Sequence, residues 1–242
     1  MGIPEIIHYC WFGGKEKPKK VKECIASWKK MLPDYTIMEW NENNFDINFC
    51  TYIREAYNAG KYAFVSDVAR LYALYNYGGI YLDTDVELLS SPRTLTDGKD
   101  LILALESSTR LMSAFIAAEK NRDIIGELLD AYNERTFVNN DGSYNLTPNT
   151  AYITELMTER GLIPEKGRQT LSDGTEIYGN DVIGAFNADT SEYEIGPETV
   201  AVHHCLASWE SASFRISFGI KRFMAKHFKR LYRFMRKMKN HG

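Results

Sequence analysis

The sequence predicts an α/β protein with a mixed central sheet, and three stretches carry that expectation. The first is an apolar run, Glu5 to Phe12, followed by an amphipathic stretch, Pro18 to Met31, and a second short apolar run, Tyr35 to Trp40. Strand, helix and strand in that order open an α/β sheet of the nucleotide-binding kind. The second is Lys61 to Tyr77, the strongest helix signal in the chain, which stops at Gly78-Gly79 as helices do where a left-handed cap is needed. The third is Ile80 to Leu82, a short strand that runs directly into acidic residues.

Each element follows from its pattern. Apart from Glu5 and His8, Glu5 to Phe12 is apolar or aromatic up to Gly13-Gly14, which suits a buried strand closed by a loop. In Pro18 to Met31, Val21, Cys24, Ile25 and Trp28 recur at three- and four-residue spacing, so they share one helix face. Leu32-Pro33-Asp34 breaks that helix, and Asn41 to Asn44 forms a polar turn after the second strand. From Tyr62 to Tyr75 only Ser66, Asp67 and Arg70 interrupt an apolar and aromatic run, and a helix apolar nearly all round is a buried one. Leu101 to Leu105 and Ala114 to Ala117 read as further strands, Asp123 to Asn133 and Thr150 to Arg160 as helices, and Ala201 to Cys205 as a late strand. No Pro/Ser linker interrupts the chain before about residue 210, so one domain is expected over 1–210 and an appended segment over 211–242.

Composition bounds the function classes. With 44% hydrophobic and 25% charged residues over 242 positions, the chain has the apolar content for a packed core and is not disordered. No run of about 18 uncharged apolar residues is present to span a bilayer. Met1 to Phe12 lacks a basic stretch leading into an apolar one, so no cleaved signal peptide is expected. Cys10, Cys24, Cys50 and Cys205 are scattered with no CxxC pair, which argues against a zinc finger or a disulfide framework and for reduced thiols in the cytoplasm. The chain has 29 basic and 32 acidic side chains, but residues 211–242 hold ten Lys/Arg and no acid. An acidic body with a basic tail does not suit a nucleic-acid binder.

The chemistry centres on Tyr81-Leu-Asp83-Thr-Asp85. Strand alternation would put Asp83 and Asp85 on one side. Two neighbouring carboxylates repel unless a cation or proton joins them, and hard oxygen donors suit Mg²⁺ or Mn²⁺ bridging to phosphate. Asp-x-Asp by itself also occurs in solvated turns. Its place at the carboxyl end of a buried strand, where open α/β sheets bind ligands, points to a site. Asp67 and Arg70, three residues apart, share a helix face. They form either an interior ion pair that satisfies itself or a pair directed into a polar ligand site.

Ile3-Pro-x-Ile-Ile-His-x-x-Trp-Phe12, Ala63-Phe-Val-Ser-Asp-Val-Ala-Arg70 and Tyr77-Gly-Gly-Ile-Tyr-Leu-Asp-Thr-Asp85 occur together and in order. This set resembles glycosyltransferase family 32, the glycosyltransferases with a DXD sugar-binding motif, which include bacterial polysaccharide transferases and yeast initiating mannosyltransferases. The clostridial glucosylating toxins are more distant relatives. The likeness is densest over residues 3–90 and extends to about residue 210. It implies a GT-A type, Rossmann-like nucleotide-sugar-binding domain that transfers a sugar, with a divalent metal, Mn²⁺ or Mg²⁺, and retention at the anomeric carbon. Carried over by position, Trp11 stacks on the nucleotide base, unless it is a core residue at a strand end. Asp67 and Arg70 hold donor hydroxyls, Asp83 lies near ribose and sugar, and Asp85 binds metal.

The segment Ala201 to Trp209 resembles the family's C-terminal His/Ser/Trp block. The spacing of the toxins favours His204 as the metal ligand and gives His203 a structural role. It also puts Ala207 where the toxins have a Ser, with Ser208 one place late, and lets Trp209 donate to a phosphate oxygen or simply anchor the tail. Asn149 either caps the helix that follows it or reaches the sugar, as a family Asn does. His8 is expected to hydrogen-bond within the first strand.

The last segment has Ile220, Phe223, Met224, Phe228, Leu231, Tyr232, Met235 and Met238 on one stripe and Lys/Arg opposite. It reads as a basic amphipathic helix that lies on an anionic membrane surface through 213–242 or braces the body. The expected enzyme is thus cytoplasmic and peripheral on the inner face of the plasma membrane. It would move a sugar, from a UDP-sugar by preference, to a glycan or lipid-linked acceptor of a bacterial surface polysaccharide; the alternatives are a nucleotide-sugar hydrolase using the same metal site and a non-catalytic, membrane-docked scaffold that binds a nucleotide-sugar.

Overall fold

The computed structural model describes residues 2–187, residues 192–206 and Phe228. The basic segment over 211–242 is otherwise outside the described residues, as are Ser208 and Trp209. In chain order the elements are β1 (Ile6–Cys10), α1 (Lys19–Met31), β2 (Thr36–Trp40), α2 (Thr51–Asn58), α3 (Tyr62–Tyr77), β3 (Gly79–Leu82), β4 (Val86–Leu88), α4 (Arg93–Thr96), β5 (Leu101–Ser107), β6 (Arg110–Leu111), β7 (Phe115–Ala118), α5 (Asp123–Asp130), α6 (Asn149–Glu159), β8 (Gln169–Thr170), β9 (Glu176–Tyr178), β10 (Ile183–Gly184), β11 (Phe186–Asn187), β12 (Glu192–Tyr193) and β13 (Ala201–His203).

The main sheet runs β2-β1-β3-β7-β5-β9-β8, with β6 beside β5. Strands β2, β1 and β3 are parallel, while β7 runs antiparallel to both of its neighbours, β3 and β5. It is the mixed α/β sheet of the GT-A type. Both faces are covered, so the strands are apolar at successive positions. Leu101, Leu103 and Leu105 join a core with α2, α3, α5 and α6, while Ile102 and Ala104 join a second core with Trp28 of α1 and Ile183 and Ala201. Chain order places β2 on one side of β1 and β3 on the other. The carboxyl ends of β1 and β3 at that reversal are the favoured ligand position in such sheets.

Two glycines make the α3–β3 junction. Gly78 ends α3 at φ 66° and Gly79 opens β3 at φ 109°, and a Cβ on Gly79 would lie 2.5 Å from the Ile6 carbonyl oxygen. That neighbour is backbone, and the conformation itself disfavours an L side chain. Gly79→Ala is therefore expected to lose at least about 1–3 kcal/mol of stability, read as a lower urea midpoint with unchanged m-value.

His8 does not bond within its own strand. Its Nε2 donates to the Gly78 carbonyl at 2.7 Å and its Nδ1 accepts from Trp40 Nε1, 3.1 Å away. An indole N–H only donates, so the ring is neutral with its proton on Nε2. Burial lowers its pKa from 6.5 to about 4, against the pull of the Gly78 bond. The unfolded chain then binds a proton that the folded chain refuses, so this stability is complete above pH 6.5 and falls as pH drops toward 4. The loss approaches about 3 kcal/mol. His8→Gln, which keeps a donor and an acceptor without titrating, should flatten the dependence of the urea midpoint on pH across that window.

Candidate active site

The Asp-x-Asp pair does not continue β3. The strand ends at Leu82, and a turn closes by a Val86 N–H donated to the Asp83 carbonyl at 2.9 Å. The two carboxylates converge because the chain bends, not because a strand alternates. Beyond the turn, β4 pairs antiparallel with β13, and His203 stands opposite Val86. This pairing, with β4 absent from the sequence-based expectation, brings a histidine from the far end of the chain to the acidic turn.

That histidine is His203, which corrects the expectation for His204. His203 Nε2 lies 3.3 Å from Asp85 Oδ1, whereas His204 Nε2 donates to Glu87 Oε2 at 2.8 Å, beside Lys20 Nζ at 2.9 Å. Adjacent residues leave a strand on opposite sides, so only one imidazole can face Asp85. One ligand atom each of Asp83, Asp85 and His203 falls within 4.8 Å of the others.

Asp85 is held firmly. Its Oδ2 accepts the Leu206 N–H at 2.7 Å, and the His204 N–H bonds its carbonyl at 2.9 Å. Burial opposes its ionisation, but the charge and hydrogen bond of His203 and the Leu206 N–H prevail and hold the carboxyl down at about 2. For His203, burial disfavours the charged form, while Cys205 Sγ, 3.5 Å from Nδ1, and the Asp85 carboxylate together raise its pKa well above the ordinary value. His204 is lowered, chiefly by burial.

Arg70 joins the second half of the site to the first. Its Nη1 donates to Asp67 Oδ1 at 2.8 Å and its Nη2 to Asp83 Oδ1 at 3.0 Å, and Tyr81 donates to the same Asp83 oxygen at 2.9 Å. The guanidinium also lies over the Tyr81 ring, 4.8 Å from its centroid. Both alternatives for Asp67 and Arg70 are thus partly met: the pair is internal, and it reaches the Asp-x-Asp turn. Burial raises Asp67 to about 6, helped by the Asp83 charge and opposed by Arg70 and by the Asn149 N–H.

Asn149 is the first residue of α6, after Pro148, and its side chain caps nothing. The N-cap alternative fails. Its backbone N–H reaches Asp67, and its Nδ2 donates to Tyr132 Oη at 2.8 Å. Trp11, just past the carboxyl end of β1, is half-buried against the second core. Its indole donates to the Lys15 carbonyl at 2.6 Å, and Lys17 Nζ lies 5.6 Å from its ring centroid. Tyr81 and Tyr132 were not singled out from sequence. Tyr81 had a readable signal, since it stands two residues before Asp83; Tyr132 had none.

Comparison with known proteins agrees with this geometry. Residues 18–103 match the family described as glycosyltransferase sugar-binding region containing DXD motif. Inositol phosphoceramide mannosyltransferase 3 of Schizosaccharomyces pombe (strain 972 / ATCC 24843) is 35% identical over 92 residues, covering 35% of this chain and 24% of that protein. The chain thus spans about a quarter of that relative's length. A glycosyltransferase involved in the glycosylation of the major capsid of PBCV-1 has a TM-score of 0.50 at 10% identity, over 88% of this chain and 98% of that one. The PaToxG glycosyltransferase has a TM-score of 0.44 at 23% identity, over 53% of this chain and 59% of that one. Over residues 18–103 the chain is thus similar to the DXD-motif glycosyltransferase sugar-binding region, carried on a fold of the GT-A type.

Proposed function

We propose that this chain is a metal-dependent retaining glycosyltransferase, taking a sugar from a nucleotide-sugar, a UDP-sugar by preference, to a saccharide or lipid-linked glycan. The observation that carries this is the meeting of His203 with Asp83 and Asp85 beside the Asp67–Arg70 pair, these last four all within the matched sugar-binding region. Two carboxylates and an imidazole fit Mn²⁺ or Mg²⁺, with positions left over for other oxygens. When bound, the cation supplies Lewis-acid stabilisation of a diphosphate leaving group.

The chain's own residues do the rest. Asp85, fixed by Leu206 and His203, presents a charged carboxylate at neutral pH. Arg70 keeps Asp67 and Asp83 in register and gives the pocket a cation where sugar hydroxyls would be held. Trp11, half-buried just past the carboxyl end of β1, is the aromatic residue that would stack on the base. No Asp or Glu in the site is assigned as a nucleophile, so retention would follow from front-face attack, the leaving phosphate taking the acceptor proton.

A lipid-linked acceptor of a bacterial surface polysaccharide, and a place on the inner face of the plasma membrane, draw support from the basic stripe of 211–242. A relative named for mannosylating inositol phosphoceramide is a precedent for a lipid acceptor. The test is a thermal-shift panel of UDP- and GDP-sugars with and without Mn²⁺, followed by transfer assays. A donor that binds only the folded chain at about 100 times its Kd should add about 2.7 kcal/mol. His203→Asn should abolish the Mn²⁺-dependent part of that shift and His204→Asn should not; no shift with any nucleotide-sugar would overturn the function.

A further inference from the structure

We propose that Tyr144 and Leu146 form a platform on which a pyranose ring of the acceptor seats, close to the Asp67–Arg70 pair. The proposal rests on the sugar-transfer function above and adds the place where its acceptor is held. Tyr144 is 44% exposed and Leu146 56% exposed, and the chain then turns inward to Asn149, which is buried and gives its backbone N–H to Asp67. Three residues of chain reach at most about 11 Å and five at most about 18 Å, so both side chains stand within a few sugar rings of Asp67. The start of α3 leads to the same place. Phe64 and Asp67, three apart, share one side of that helix, and Phe137, which carries Tyr144, packs on Phe64 at 5.0 Å. Gly13, just past β1, lies against the ring of Tyr62, the first residue of α3, so this end of the helix stands at the carboxyl end of the sheet.

Lone exposed apolar side chains are ordinary on a protein surface, but this pair is presented by a braced hairpin. The N–H groups of Asn139 and Asn145 donate to the Ser143 and Phe137 carbonyls, each at 2.8 Å, and Val138 pairs with Tyr144. Glu55 Oε2 accepts the N–H groups of Phe137 and Val138, both at 2.9 Å. The Tyr144 ring stacks on that of the buried Phe137, centroids 5.1 Å apart and planes at 22°. One face of Tyr144 is thereby covered, and its exposure belongs to the rest of the ring. An aromatic face is electron-rich, and the C–H groups on one side of a pyranose are apolar and partly positive, so the two stack. Lys61 Nζ lies 6.0 Å from the Tyr144 centroid and makes no ion pair among the described residues. Its flexible stem lets the ammonium donate to a hydroxyl of a ring seated there. The neighbours Asp141, Ser143 and Thr147 are exposed and polar. That setting suits a hydroxylated guest, whereas a lipid or a second copy of the chain would need a wider apolar patch.

The experiment is calorimetry on the full chain with UDP and Mn²⁺, titrating the methyl glycosides of glucose, galactose and mannose and the di- and trisaccharides of each. In at least one series the longer members should bind about threefold to tenfold more tightly than the methyl glycoside, as one aromatic contact gives. Tyr144→Ala should erase that gain with length and Tyr144→Trp should keep it, while the affinity for UDP itself stays the same in both. If Tyr144→Ala does not fold by circular dichroism, Leu146→Ser carries the comparison and should lower the gain. A gain that survives in the variants overturns the proposal, and so does the absence of any gain with length while UDP binds well. Binding to phosphatidylglycerol vesicles that Tyr144→Ala weakens, with saccharide affinity untouched, overturns it too and makes the pair a lipid contact. A Tyr144-dependent gain with no nucleotide-sugar binding at all would keep the platform and sink the function on which it rests.

Discussion

Asp85→Asn is expected to cut Mn²⁺-dependent transfer by about a hundredfold or more, as loss of a charge aimed at a reacting group does, while the chain stays folded. The amide keeps an oxygen for the Leu206 N–H, so the loop after β13 keeps its anchor. What is lost is the negative charge that faces His203 at 3.3 Å and would hold the cation. The check is turnover at saturating Mn²⁺, with circular dichroism and a urea midpoint as controls. Wild-type turnover in the variant would remove Asp85 from the metal site. A collapse of the midpoint would instead show that the Asp85–His203 pair is chiefly a structural clasp between β4 and β13.

Arg70→Leu is expected to destabilise the fold by about 3–5 kcal/mol, the cost of removing one partner from a buried charge pair. Arg70 is 4% exposed and is the cation between Asp67 and Asp83. Without it two carboxylates face each other across a pocket in which burial already raises Asp67 to about 6. Asp67, which loses the charge that now opposes its rise, would then favour protonation, so the variant should recover stability as pH falls from neutral toward 4, opposite to the trend from His8. Urea melts of Arg70→Leu and Arg70→Lys across that range would test it. A loss under about 1 kcal/mol in Arg70→Leu would mean that water screens the pair.

Much of the site was legible because its donors lie close together in the chain. Asp67 and Arg70 sit on one helix, and Asp83 and Asp85 in the turn that ends the short strand after it, where helical spacing and the Gly78-Gly79 stop are sequence signals. The β1–α1–β2 opening was readable for the same reason: apolar periodicity is local. The short elements β4 and β8 to β12 were not, since two or three residues carry no period and exist only because a partner strand supplies their hydrogen bonds.

The histidine needed the fold. From sequence, His203 and His204 are neighbours with the same chemistry, and only the antiparallel pairing of β13 with β4 turns His203 toward Asp85 and His204 toward Glu87. Asn149 is similar: its place before a helix suggested a cap, but burial between Tyr132 and Asp67 gave it another task. Residue types and local spacing determined that this chain would build an α/β sheet with an acidic turn at a strand end. Which side chains meet across that turn was decided by contacts more than a hundred residues apart in the sequence, where orientation depends on strand pairing and burial, quantities that no local pattern contains.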